Sequence, residues 1–222
     1  MLNLLVAAFD FAGIFKTVVT KWYYYVIALV LLGGVICCLV FCRPKKRNNL
    51  SKTEKLCYIA VLSALHAVVN IFDINIGDTI QLSFVAAVGF IAGYLLGGGY
   101  AFLICFIGDL IGAIIAPHGA YNPIIAFGTC LWGFIPGVLY SHFNGNKYVK
   151  LIISFLICSV VVSAGCNTLG VWLMYGLGKH TFLFYLADMP VKLLSVLVNA
   201  IICVPLIKIL PKILPKNKFT LD

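Results

Sequence analysis

Repeated apolar runs, each long enough to cross a bilayer, decide what this chain can fold into. The clearest covers residues 22–42, WYYYVIALVLLGGVICCLVFC, which carries no charge, opens on a Trp/Tyr belt and stops at Arg43-Pro44-Lys45-Lys46-Arg47. A helix of ~20 apolar residues crosses ~30 Å of hydrocarbon, and an aromatic belt with a basic flank is its usual anchoring. Six more spans are predicted at about 54–72, 80–96, 100–116, 124–141, 150–175 and 183–210. Before them, residues 1–21, broken by Asp10 and ending in Lys16 and Lys21, form a short surface segment. The expected fold class is therefore an all-α polytopic membrane protein: a six-helix bundle plus one extra N-terminal transmembrane helix. A composition of 63% hydrophobic and 10% charged residues excludes soluble enzymes and disordered scaffolds. Short loops leave no room for an ATPase cassette or a receptor head, so any energy source belongs to a partner or a gradient. No cleavable signal peptide is expected, because the first long apolar run is followed by a basic cluster.

Charge placement gives an orientation. The net charge of +9 would suggest nucleic acid in a soluble protein. Here Arg43, Lys45, Lys46, Arg47, Lys52, Lys55, Lys147, Lys150, Lys208, Lys212, Lys216 and Lys218 all fall on one side of the seven-span topology. Lys16, Lys21 and Lys179 fall on the other, and Lys192 lies inside the last span. The positive-inside rule then puts the N-terminus outside and the C-terminus in the cytoplasm of a multi-pass cell-membrane protein. The partner of the basic loops is anionic lipid rather than nucleic acid. The nine cysteines are scattered through apolar segments without CxxC or histidine spacing, so they read as packing residues and no metal or cofactor is expected.

The predicted domains are 1–50, holding the surface segment, the extra span and a basic linker; 51–212, the six-helix domain; and 213–222, a cytoplasmic tail. Ser51-Lys52-Thr53-Glu54 reads as a capping box opening the first of the six helices. Small residues recur four apart at Ala60/Ala64, Ser63/Ala67, Gly93/Gly97, Gly108/Gly112 and Gly133/Gly137, the spacing that lets helix backbones approach in lipid. Most of these stripes pack within the monomer; Ala60 and Ala64, near the cytoplasmic side, suit a sliding contact with a partner. The chemistry-bearing residues gather in the outward loops, whereas the inward loops are a Gly97-Gly98-Gly99 hinge and basic connectors.

Two roles are open to Asp109, a mid-span carboxylate that costs several kcal/mol to bury: a structural acid satisfied by neighbouring helices, or a direct ligand. Lys192 can pair with Asp109 or Asp188, snorkel outward, or meet an anionic ligand. Pro117-His118-Gly119-Ala120-Tyr121-Asn122-Pro123 is a broken, outward loop that aims Tyr121 to stack and Asn122 to hydrogen-bond. His118 has no second ligand nearby in sequence and reads as a wet loop histidine. Asn167-Thr168 with Trp172 and Tyr175 sets polar groups beside aromatics, Trp172 being core, belt or a stacking wall. Gly176-Leu177-Gly178-Lys179-His180 lacks the spacing and the Ser/Thr of a phosphate loop. Asp109 lacks the Gly-x-Gly-Asp run of an intramembrane aspartyl protease, and Ser63 with His66 lacks an oxyanion loop. No enzyme is expected.

Six spans, a small-residue stripe on the first, Gly108-Asp109 on the third and Gly119-Ala120-Tyr121-Asn122-Pro123 entering the fourth together resemble the substrate-binding (S) component of energy-coupling factor (ECF) vitamin transporters, over residues 52–212. The resemblance implies a subunit that binds a vitamin from outside, docks through Ala60 and Ala64 on a transmembrane coupling subunit, and topples when two ATPase subunits work. Gly108-Asp109-Leu110-Ile111-Gly112-Ala113, the Pro117–Pro123 loop and Asn167-Thr168-Leu169 look most like the folate branch. That branch implies a solute site from Asp109, His118, Tyr121, Asn122, Asn167, Trp172 and Lys192, with Ile124 and Ile125 replacing its usual Gly-Phe and Lys192 standing where an arginine is expected. Pantothenate, riboflavin or a queuosine precursor would need similar groups, and a non-transport scaffold or small channel is the reading from another class.

Overall fold

The computed structural model describes residues 49–222 except 73, 77–79, 117–120, 144, 177–180, 188, 216–217 and 220–222, together with eight helical positions between 26 and 36. The surface segment, most of the extra span, the basic linker, His118 and Asp188 therefore lie outside the described residues.

Helix α1, Lys52–Ile71, opens on the expected box: Glu54 N donates to Ser51 Oγ at 3.2 Å and Ser51 N donates to Glu54 Oε2 at 2.9 Å. After it comes an antiparallel hairpin, β1 Ile74–Ile76 on β2 Ile80–Leu82, with Asn75 opposite Gln81. Helix α2 is Val85–Leu96, so its start corrects the expected residue 80. Ile80-Gln81-Leu82 alternates apolar and polar, a period of two that suits a strand. Helix α3, Gly98–Ile115, follows after Gly97 alone, whose φ of 88° is the left-handed turn that glycine takes freely. The expected three-glycine loop is thus a one-residue hinge.

Helix α4 is Pro123–His142. The next span, expected as one α-helix over 150–175, departs from that form. It begins as α over Lys147–Cys158, turns π over Ser159–Asn167, returns to α over Thr168–Val171 and ends π over Trp172–Gly176; these pieces together are α5. Lys150, expected in a loop, is buried in its first turn with its ammonium 5.4 Å from the Tyr140 ring centre. The last span divides into α6, Phe182–Leu186, and α7, Met189–Ile213. Among the described residues five helices are long and apolar enough to cross a membrane, and α2 is a shorter apolar helix.

Packing centres on α2. A short helix starting inside the bundle leaves orphan amides that lipid cannot satisfy. Asn199 of α7, 1% exposed, supplies the missing partner: its Oδ1 accepts from Ala87 N at 3.0 Å while Nδ2 donates to Ser83 O at 2.7 Å and Ser195 O at 2.8 Å. On the other faces the backbones themselves touch. A Cβ on Gly93 would come 2.3 Å from Gly133 O, and one on Gly137 would come 2.3 Å from Gly98 N. Helix α1 fits α3 by a related device, His66 seated over Gly108 and Asn70 over Gly112. At the other end of the bundle Phe90, Tyr94, Tyr140, Phe155 and Trp132 form an aromatic cluster. There the C-terminal residues return to α1, Lys218 pairing with Glu54 and Phe219 meeting Tyr58 edge-on at 5.6 Å.

Candidate functional site

The site is built where the ends of α1, α3 and α5 meet the starts of α4 and α7. Asn122, 7% exposed, caps α4 by accepting from Ile124 N at 3.0 Å, and Pro123 takes the first helical position, where a missing amide costs nothing. Its Nδ2 donates to Gly170 O at 2.9 Å and lies 3.9 Å from Met174 Sδ. One side chain thus ties the loop to α5. Asn122, expected at the bundle mouth as a hydrogen-bonding group, makes hydrogen bonds within the protein through both ends of its amide.

Beside it, Tyr121 OH donates across 3.5 Å to Asp109 Oδ2, and Asn70 Nδ2 donates across 3.4 Å to Asp109 Oδ1. The half-buried carboxylate therefore joins α1, α3 and the α4 loop. Burial, with Asp109 alongside, pushes the Tyr121 hydroxyl above its ordinary range, so it stays protonated and donating.

Across the mouth, Lys192 Nζ donates to Thr168 Oγ1 at 3.0 Å. Thr168, fully buried, in turn donates to Ser163 O at 2.9 Å, a carbonyl five residues back along the π-wound stretch. Asn167 points its Oδ1 toward α4, where a Cβ on Gly128 would lie 3.1 Å away. That oxygen is buried with no hydrogen-bond partner among the described residues. Trp172 packs edge-on against Phe182 at 6.0 Å, joining the end of α5 to α6.

The structure thus gathers Asp109 with Tyr121 on one side and Asn122, Asn167, Trp172 and Lys192 around the π-wound part of α5 on the other. Sequence reasoning missed Asn70 and Asn199 as participants, and the contact of Thr168 with Lys192. Thr168 had a visible signal, a hydroxyl beside Asn167, whereas Asn70 and Asn199 had only their cost as polar residues inside apolar spans. Ala60 and Ala64 are exposed on α1, on the face opposite buried Leu62, Ser63 and His66.

A family model described as the S component of an ECF-type riboflavin transporter matches residues 49–212. The chain belongs to that family. As an S component it is a membrane-embedded, substrate-binding subunit of a transporter rather than an enzyme, with ATP hydrolysis carried by partner subunits. Solved structures share its fold, among them these two. A crystal structure of FolT bound with folic acid is 20% identical, with a TM-score of 0.58 over 69% of this chain and 91% of that one. An S component of a bacterial ECF transporter is 16% identical, with a TM-score of 0.60 over 73% of this chain and 98% of that one. No curated protein matches the chain.

Proposed function

We propose that this S component captures folate from the outside at the mouth formed by α4, α5 and α7, and delivers it by toppling on the coupling subunit. The observation that carries the reading is the juxtaposition, at one end of the bundle, of a half-buried ammonium on Thr168 and the Tyr121 ring, in a loop that Asn122 ties to α5. Folate is a flat heteroaromatic with carboxylates. Lys192 meets a carboxylate, Tyr121 or Trp172 supplies a ring face, and the unpartnered Asn167 Oδ1 offers an acceptor to a ring N–H. His118, three positions before Tyr121 in the sequence, completes the proposed set. The fold shared with folate-bound FolT favours this cargo, while the description of the family favours riboflavin as the second reading.

The positive-inside count supports placing the mouth outside and the C-terminus in the cytoplasm. The exposed Ala60 and Ala64 then form the proposed docking stripe, with Cys57 exposed on the same helix. Fluorescence titration in detergent with folate, riboflavin, pantothenate and a queuosine precursor tests the cargo, with Trp132 and Trp172 as reporters. Saturable quenching by folate at the lowest concentration is expected; tighter binding of riboflavin would transfer the assignment. Ala60→Trp or Ala64→Trp is expected to abolish energised uptake while leaving binding by the isolated subunit intact, and unchanged uptake would remove the stripe from docking.

A further inference from the structure

We propose that Thr168 is the positioning residue that fixes the Lys192 ammonium in the solute site, an inference that rests on the proposed role of Lys192. A threonine hydroxyl has one hydrogen and two lone pairs. At Thr168 the hydrogen is given to Ser163 O at 2.9 Å, which turns the lone pairs toward Lys192 Nζ at 3.0 Å. The direction of this relay is set by the cation, which can only donate.

The winding of α5 makes the relay possible. In a regular α-helix a threonine hydroxyl reaches back to the carbonyl three or four residues earlier. Ser159–Asn167 is π-wound, and the carbonyl that Thr168 reaches is five residues earlier. π-Turns within α-helices are frequent at functional sites. The next turn of α5 is braced from the opposite side by Asn122 Nδ2 on Gly170 O. Thr168 is itself fully buried, so the anchor is rigid while Lys192 stays half-buried and within reach of a solute. A lysine has a long, freely rotating stem, and holding its head beforehand removes part of the ordering cost of binding.

Two measurements on the full chain in detergent test this. Trace acetylation with acetic anhydride, read at Lys192 by mass spectrometry against the other lysines, needs no solute. The near-isosteric Thr168→Val is expected to raise Lys192 labelling several-fold, with Thr168→Ser close to wild type; an unchanged rate in Thr168→Val overturns the proposal. Titration with folate and with folate dimethyl ester then separates positioning from packing. Thr168→Val is expected to weaken folate about tenfold, the scale of one hydrogen bond to a charged group, and to leave the ester nearly unaffected. Equal losses for both probes, or no loss for folate, overturn it. Should the wild type take up neither probe, the folate reading falls, while the acetylation result still decides whether Thr168 holds Lys192.

Discussion

Helices α2, α3 and α4 meet backbone to backbone through Gly93, Gly133, Gly137 and Gly98, whereas the contact of α5 with α7 at the mouth includes a side-chain hydrogen bond, Lys192 on Thr168. Nearly every residue of α2 is buried, while α7 exposes Leu193, Leu194, Leu197, Ile201 and Val204 along one face. Lipid is as apolar as the helices, so only close packing and polar contacts hold a bundle together in it. The glycine half uses the first means and leaves little freedom. The α5–α7 half uses the second, with a π-wound helix and a buried acceptor on Asn167 that has no partner among the described residues. Close backbone packing and side-chain contacts are thus divided between the two halves, and the proposed function gives solute recognition to the second.

Glycine substitutions are the strongest way to break this contrast. Gly137→Ala forces a Cβ to 2.3 Å from Gly98 N and is expected to cost about 3 kcal/mol or more, seen as a large fall in Tm in detergent. Gly165→Ala meets nothing closer than Val160 O at 3.6 Å and is expected to leave Tm within a few degrees. Equal falls for both would erase the distinction. Lys192→Met is expected to weaken folate binding by about 10- to 100-fold with little change in Tm, since it removes a charged contact at the mouth and no packing of the glycine half. Asn122→Ala removes a cap and a tether at once and is expected to lower stability by about 2 kcal/mol. Asn122→Asp, which keeps the cap and loses the donor to Gly170 O, is expected to recover about half of that. The smallest effect belongs to the opposite end. Glu54→Gln weakens its pairing with Lys218, both side chains being more than a third exposed, and is expected to shift Tm least of all, with the difference vanishing at high salt.

Much of the glycine half was legible in the sequence because its signals are local. Four-residue spacing of Gly93/Gly97, Gly108/Gly112 and Gly133/Gly137 announces close helix contact, and Ser51 with Glu54 announces a helix start. The α5–α7 half was less so. Uniformly apolar sequence from 151 to 162 has no period that distinguishes α from π winding, and the Lys192–Thr168 contact joins residues 24 apart across separate helices. The start of α2 was placed five residues early because Ile80-Gln81-Leu82 is apolar enough to extend a span; its amides depend on Asn199, more than a hundred residues away. Asp109 and Lys192 stand out in the sequence as charges inside apolar spans. Their hydrogen bonds to Asn70, Tyr121 and Thr168 follow from helix positions that a single sequence does not specify.

Hydrogen–deuterium exchange on the full chain, with and without saturating folate, tests the division of labour most directly. The account predicts added protection at residues 121–123, 167–176 and 189–195, with α2, α3 and the body of α4 unchanged and already slow. Protection confined to α2–α4, or no change anywhere in folded protein at saturating folate, would contradict it.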